Sequence, residues 1–220
     1  MERTAGASVR AVIFDFGGVL CFPPDPDRVA AAAQAAGLPV TDFLMAFWGN
    51  RIPYDAGQWT PTEYWRAVAT SAGTHFDDAL IRILVRHEID FWTNFDQELL
   101  QWIRDLRAAG FRTGILSNLP RPLGEALRAM PRFLEHFDHV TFSYELGMVK
   151  PEPGIYTHAV TGLGVNPDQA LFLDDRPDNV EGAQAVGLHA QVYSCAVPLP
   201  KHSKLFDAYG LPVPVEARRQ

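Results

Sequence analysis

Val9 to Gly18 (VRAVIFDFGG) runs from a short, β-rich apolar stretch into an acid, Asp15, and then a glycine pair. A short apolar run without polar alternation reads as a strand buried on both faces, as in a parallel sheet. Gly17-Gly18 and then Phe22-Pro23-Pro24 break the pattern. From Asp25 to about Phe95 the apolar spacing becomes helical. Asp27 to Ala36 is alanine-rich and stops at Gly37, and Thr60-Pro61-Thr62-Glu63 is a capping box with proline at the first helical position. Leu80, Ile83, Leu84 and Ile89 mark a further helix within Ala79 to Phe91. Beyond it, helix and strand alternate. Asp96 caps a helix carrying Leu99, Leu100, Ile103 and Leu106. Strands are expected at Phe111 to Leu116, Val140 to Phe142, Ala170 to Leu173 and His189 to Tyr193. Helices are expected at Gly124 to Met130, Gly154 to Thr161 and Val180 to Val186. This repetition predicts an α/β fold, a Rossmann-like parallel sheet with an all-helical insertion after its first strand. The expected division is 1–21 and 96–220 for the core and 22–95 for the insertion. The proline-rich tail from Val197 is expected to wrap the surface.

The 220 residues suit one domain with an insertion, or two small ones, at roughly 150 residues per domain. A net charge of −7 disfavours nucleic acid as a partner, because phosphate-backbone binding needs a basic surface. A hydrophobic content of 47% excludes disorder for most of the chain. The two cysteines, Cys21 and Cys195, form neither a disulfide framework nor a metal-ligand cluster and read as buried thiols. Met1 to Arg10 carries Glu2 and lacks an apolar signal core, and no apolar run approaches the roughly 18 residues that span a bilayer. The expectation is a cytoplasmic protein without a membrane partner; oligomeric state has no signal here.

In open α/β sheets, sites form beyond the carboxyl ends of the strands. After the first strand comes Asp15-Phe16-Gly17-Gly18, after the second Ser117-Asn118, and after the fourth Asp174-Asp175. Lys150 sits in the loop Gly147 to Pro151, after the third strand. Each has a bland reading on its own: a strand-end cap, a turn, a solvated loop lysine, an acidic helix start. Together they bring three carboxylates, a hydroxyl, an amide and an ammonium to one edge. Carboxylates from two strands suit a hard cation such as Mg²⁺, with a phosphate completing its shell. A hydroxyl and an ammonium suit the remaining phosphate oxygens. An Asp beside Mg²⁺ can act as a nucleophile through an aspartyl-phosphate.

At this point the chain resembles haloacid-dehalogenase-superfamily (HAD) hydrolases. The four matching motifs are Val12 to Leu20 (VIFDFGGVL), Leu116-Ser117-Asn118, Gly147 to Pro153 (GMVKPEP) and Phe172 to Ala183 (FLDDRPDNVEGA). The likeness covers about residues 9 to 195, and the helical insertion looks like that superfamily's C1 cap. It is similar to sugar-phosphate phosphatases and to the N-terminal domain of soluble epoxide hydrolases. The resemblance implies Asp15 as nucleophile and Mg²⁺ ligand, the Gly17 backbone carbonyl and Asp175 as further ligands, and Asp174 and Asn179 in support. It implies Ser117, Asn118 and Gly18 at a small-molecule phosphate, with Lys150 anchoring nucleophile and phosphate.

One position departs. Related phosphatases carry a second Asp two residues after the nucleophile, as general acid and base; here Gly17 stands there. Such a group contributes about 10²- to 10⁴-fold. Weak phosphomonoesterase activity is therefore expected, and Gly17→Asp is expected to raise it on alkyl phosphates. Glu63, His75 and His87 are candidate substitutes from the insertion. Alternatives are a catalytically impaired phosphate-binding or regulatory protein and a metal-independent 2-haloacid dehalogenase. The carboxylate pair Asp174-Asp175 speaks against the latter. Only three of the 19 Lys+Arg residues are lysines, none before Lys150, which removes the cap-lysine Schiff base of phosphonate hydrolases. The insertion's aromatic residues Phe43, Phe47, Trp48, Tyr54, Trp59, Tyr64, Trp65, Phe91 and Trp92 read mostly as core, a few as cavity lining. Arg51 and Arg176 are weaker candidates for contacting a second anionic group.

Overall fold

A computed structural model describes residues 8–214. The reading around Glu2 lies outside them. The apolar runs form five strands: β1 (Ala11–Phe14), β2 (Arg112–Ser117), β3 (His139–Phe142), β4 (Ala170–Asp174) and β5 (His189–Val192). They make one parallel sheet in the order β3-β2-β1-β4-β5. Every residue of β1 and β4 is buried, as expected of central strands covered on both faces. Period-two alternation sorts β1: Val12 and Phe14 join one core cluster, Ala11 and Ile13 the other.

Between β1 and β2 lie α1 (Pro26–Ala35), α2 (Val40–Gly49), α3 (Arg51–Asp55), α4 (Pro61–Ser71), α5 (Asp78–Phe91) and α6 (Gln97–Ala108). The expected capping box opens α4, with the Thr60 side chain accepting from the Glu63 N–H and the Glu63 carboxylate accepting from the Thr60 N–H. Helices α1 to α5 enclose their own hydrophobic cluster, in which Phe43, Phe47, Tyr64, Trp65 and Phe91 are buried. Truncating a residue such as Trp65 there would cost about 3–5 kcal/mol. Trp48 is different, at 51% exposed.

After β2 come α7 (Arg121–Arg128), α8 (Pro131–Leu134), α9 (Ser143–Leu146), α10 (Pro153–Leu163), α11 (Pro177–Ala185) and α12 (Ser203–Tyr209). Helices α7 and α11 begin about three residues earlier than expected, each with proline in its first turn. The tail differs more. It forms a 3₁₀ turn at Leu199–His202 and then α12, and Leu199, Leu205, Phe206 and Leu211 are buried in the main core. The Trp102 indole N–H donates to the Pro212 carbonyl at 2.7 Å, fastening the tail against α6. Cys21 and Cys195 are both buried and unbridged. Among the described residues no single helix is long and apolar enough to cross a membrane.

The chain winds from β1 to β3 on one side and continues through β4 and β5 on the other. The winding reverses between β1 and β4, and the crevice beyond their carboxyl ends is where such sheets bind ligands.

Candidate active site

The register Phe14↔Leu173 puts Asp15 and Asp174 side by side at that reversal, and the Asp15 N–H donates to the Leu173 carbonyl at 2.9 Å. Lys150, only 4% exposed, reaches both: its Nζ lies 2.8 Å from Asp15 Oδ1 and 2.6 Å from Asp174 Oδ2. Carboxylate oxygens of Asp15, Asp174 and Asp175 all fall within 4.8 Å of one another. One ammonium faces three carboxylates, so negative charge is in excess. Burial and the Asp174 charge, opposed by Lys150, raise the Asp15 pKa from 3.8 to about 6. Burial, followed by Asp174, also raises that of Asp175. Burial disfavours the Lys150 charge, but Asp15 and Asp174 outweigh it and hold the ammonium protonated.

The three carboxylates are not equivalent. Asp174 is fully buried and already satisfied: it accepts from Lys150, from Asn179 Nδ2 at 3.0 and 3.1 Å, and from the Arg176 N–H at 2.9 Å. Asp15 Oδ1 is buried with no well-aligned hydrogen bond beside its ion pair, and Asp175 is exposed to the cavity. The Gly17 carbonyl accepts no hydrogen bond among the described residues. Asp15, Asp175 and this carbonyl therefore fit an oxygen-seeking cation such as Mg²⁺.

Asn118 and Gly18, expected at the substrate, both line the cavity, and each also carries a bond that shapes the site. The Asn118 carboxamide brackets the lysine's backbone, accepting from the Lys150 N–H at 2.8 Å and donating to the Lys150 carbonyl at 3.1 Å. The Gly18 N–H donates to the Cys21 carbonyl at 2.8 Å, closing a tight loop. Gly18 is needed for clearance: its φ is +77°, and a Cβ there would lie 2.5 Å from Asp175 Oδ2. Ser117 lines the cavity as expected.

The cavity is about 720 Å³, enough for a phosphoryl group and a small organic moiety. Pro23, Pro24, Trp48, Ile52, Trp92 and Leu123 give it an apolar wall. Gly17 faces that wall: a Cβ there would lie 2.9 Å from the Trp92 ring. Gly17→Asp must therefore displace the indole, and the expected gain from that single change does not follow.

The substitute acids from the sequence are not at the cavity. Glu63 is exposed and committed to its capping box, and neither His75 nor His87 lines the cavity. Arg51 and Arg176 do line it, but as paired groups. Arg176 is held by Asp178 at 2.7 Å. Arg51 is buried between Asp55 (Nη2–Oδ1 2.9 Å) and Glu88, whose Oε2 also accepts from the Tyr54 hydroxyl at 3.2 Å. Sequence reading missed Asp55 and Glu88. The one local signal was the i,i+4 pairing of Arg51 with Asp55.

A carboxylate-rich cavity at the winding reversal of a parallel sheet, under an inserted helical segment, defines a class of α/β hydrolases. The chain belongs to the haloacid dehalogenase-like hydrolase family, whose model matches residues 9–187. Among curated relatives, mouse (Mus musculus) bifunctional epoxide hydrolase 2 is 26% identical, over 94% of this chain and 41% of the relative. Mouse acyl-CoA dehydrogenase family member 10 is 30% identical, over 85% of this chain and 18% of the relative. The chain thus spans less than half the length of these two. D-ribitol-5-phosphate phosphatase of Bacteroides thetaiotaomicron is 25% identical over 81% of this chain and 89% of its own. A solved HAD family enzyme from that organism, in complex with magnesium and inorganic phosphate, shares the fold at a TM-score of 0.71 with 23% identity, over 90% of this chain and 99% of that one. L-2-haloacid dehalogenase from Xanthobacter autotrophicus shares it at 0.62 with 21% identity, over 83% and 76%.

Proposed function

We propose that the chain is a Mg²⁺-dependent phosphomonoesterase acting on a small organic phosphate, with residues 22–95 as its cap. The observation that carries this reading is the Asp15–Lys150–Asp174 cluster with Asp175 beside it: a buried carboxylate kept 2.8 Å from one fixed ammonium, with a second carboxylate free to share a cation. Relatives named as phosphatases and the magnesium–phosphate complex of a fold neighbour support it.

Asp15 attacks phosphorus, the bond to the leaving oxygen breaks, and the phosphoryl group rests on Asp15 until water displaces it. Lys150 and the Ser117 hydroxyl hold phosphoryl oxygens. Asn118 keeps Lys150 in place through its backbone. Bound Mg²⁺, held by Asp15, Asp175 and the Gly17 carbonyl, supplies the positive charge that lets a phosphate approach so many carboxylates. Gly17 brings no acid, so activity on poor leaving groups is weak unless the cap supplies a proton.

Turnover of p-nitrophenyl phosphate tests this, since its leaving group needs no protonation. Hydrolysis is expected with Mg²⁺, and its loss with a chelator or in Asp15→Asn. No turnover above the Asp15→Asn control sinks the enzyme reading and leaves phosphate binding or regulation. Metal-independent chloride release from 2-chloropropionate would replace it with dehalogenation.

A further inference from the structure

Asp15, Asp55, Asp175 and Asp178 are the carboxylates lining the cavity among the described residues. Asp15 and Asp175 are taken by the nucleophile and metal roles, and Asp178 is exposed and paired with Arg176. Asp55, at the end of α3, remains, and it comes from the cap. Its backbone is fixed to the core: Ser143 Oγ donates to the Asp55 carbonyl at 2.5 Å. Two residues on, a Cβ at Gly57 would lie 2.5 Å from the Tyr144 carbonyl oxygen, so this turn rests directly on the core.

The side chain belongs to a buried cluster with a charge imbalance. Arg51 is one guanidinium serving two carboxylates, Asp55 at 9% exposed and Glu88 at 1%. An uncompensated buried charge is costly, and taking up one proton removes it. Glu88 has both oxygens engaged, by Arg51 and by Tyr54. On Asp55, Oδ1 takes the close contacts of 2.9 and 3.0 Å from Arg51, while Oδ2 has only a longer one at 3.3 Å. Asp55 Oδ2 is therefore the carboxylate oxygen of the cluster that Arg51 engages least. The charged and titratable groups facing Asp55 are Arg51 on its own helix, Tyr64 on α4, Glu88 on α5 and Lys150 from the core. Burial raises its proton affinity above the ordinary carboxyl range, against the opposing charges of Arg51 and Lys150.

We propose that Asp55 is a catalytic residue, the cap's proton donor to the leaving oxygen in place of the acid that Gly17 lacks. This rests on the phosphomonoesterase reading above. As Asp15 bonds to phosphorus and the P–O bond to the leaving group breaks, the Asp55 proton passes to the departing oxygen and an alcohol leaves. The Asp55 carboxylate then takes a proton from the water that attacks phosphorus. The bond from phosphorus to Asp15 breaks, inorganic phosphate leaves, and both carboxyl groups are restored.

The test compares an n-alkyl phosphate with p-nitrophenyl phosphate, both with Mg²⁺, in the full chain and in Asp55→Asn. The variant should lose about 10²- to 10⁴-fold in kcat/KM on the alkyl ester and far less in kcat/KM on the nitrophenyl ester, whose leaving group needs no acid. Its kcat on the nitrophenyl ester should fall, because water attack on the shared aspartyl-phosphate loses its base. The alkaline limb of the alkyl-ester profile should vanish with it. Equal losses in kcat/KM on both esters overturn the proposal. Should Asp55→Asn not fold, a series of leaving groups on the parent protein decides. Rates nearly independent of leaving-group basicity support the proposal, and a steep fall overturns it. If the parent hydrolyses p-nitrophenyl phosphate but no alkyl ester, Asp55 is not the acid while the phosphatase reading stands. If it hydrolyses neither, both fall.

Discussion

Asp15 sits where burial and charge oppose each other, and this makes its proton a measurable quantity. In the metal-free protein its pKa is raised from 3.8 to about 6, so the folded state holds the proton more tightly than the unfolded chain. The stability this contributes is full below the ordinary value and is lost as pH rises through about 6. A cation on Asp15 competes with that proton. Stabilisation by Mg²⁺ should therefore be larger at about pH 7 than at about pH 5, read as the shift in Tm on adding the ion. Equal shifts at both values would show that Asp15 is not a ligand. At the same scale, Gly17 shows what sequence cannot carry. The missing acid was legible, but the Trp92 ring filling the adjacent space was not, because that residue approaches only through the fold.

Elements explain why the motif glycines matter. Gly182 lies on α11, and a Cβ there would stand 2.6 Å from Pro151 Cβ and 3.1 Å from the Pro151 carbonyl oxygen. The helix carrying Asn179 thus presses against the loop carrying Lys150. Gly182→Ala should cost about 1–3 kcal/mol in urea denaturation and lower the proposed turnover of p-nitrophenyl phosphate, since the overpacked loop holds the ammonium. A variant as stable and active as its parent would contradict this contact. The strands were legible because runs such as Ala11–Phe14 and Ala170–Asp174 are apolar without alternation. Helix α12 was not, because four prolines between Val197 and Pro214 read as irregular chain, whereas burial of Leu205 and Phe206 against the core selects a helix there. Asn118 shows the same limit: its position was readable, but its partner on Lys150 was not, since that contact spans two loops.

At the scale of the whole molecule, the sheet's carboxyl edge brings Asp15, Lys150, Asp174 and Asp175 together, and the helical insertion adds apolar lining and the buried Arg51–Asp55–Glu88 cluster. The core site was largely legible because each of its residues ends a strand or lies in a motif beside one. The cap's contribution was not, because Arg51, Asp55 and Glu88 meet only when α3 and α5 pack together. The overall negative charge would not draw the proposed phosphate in; its attraction would be local, through Lys150 and the proposed cation. The central claim is that Asp15 carries the phosphoryl group. It is tested most directly by mass spectrometry of protein acid-quenched during turnover of p-nitrophenyl phosphate. A phosphoryl group is expected on the peptide containing Asp15, only when Mg²⁺ is present and not in Asp15→Asn. Phosphate release with that peptide never modified would contradict it.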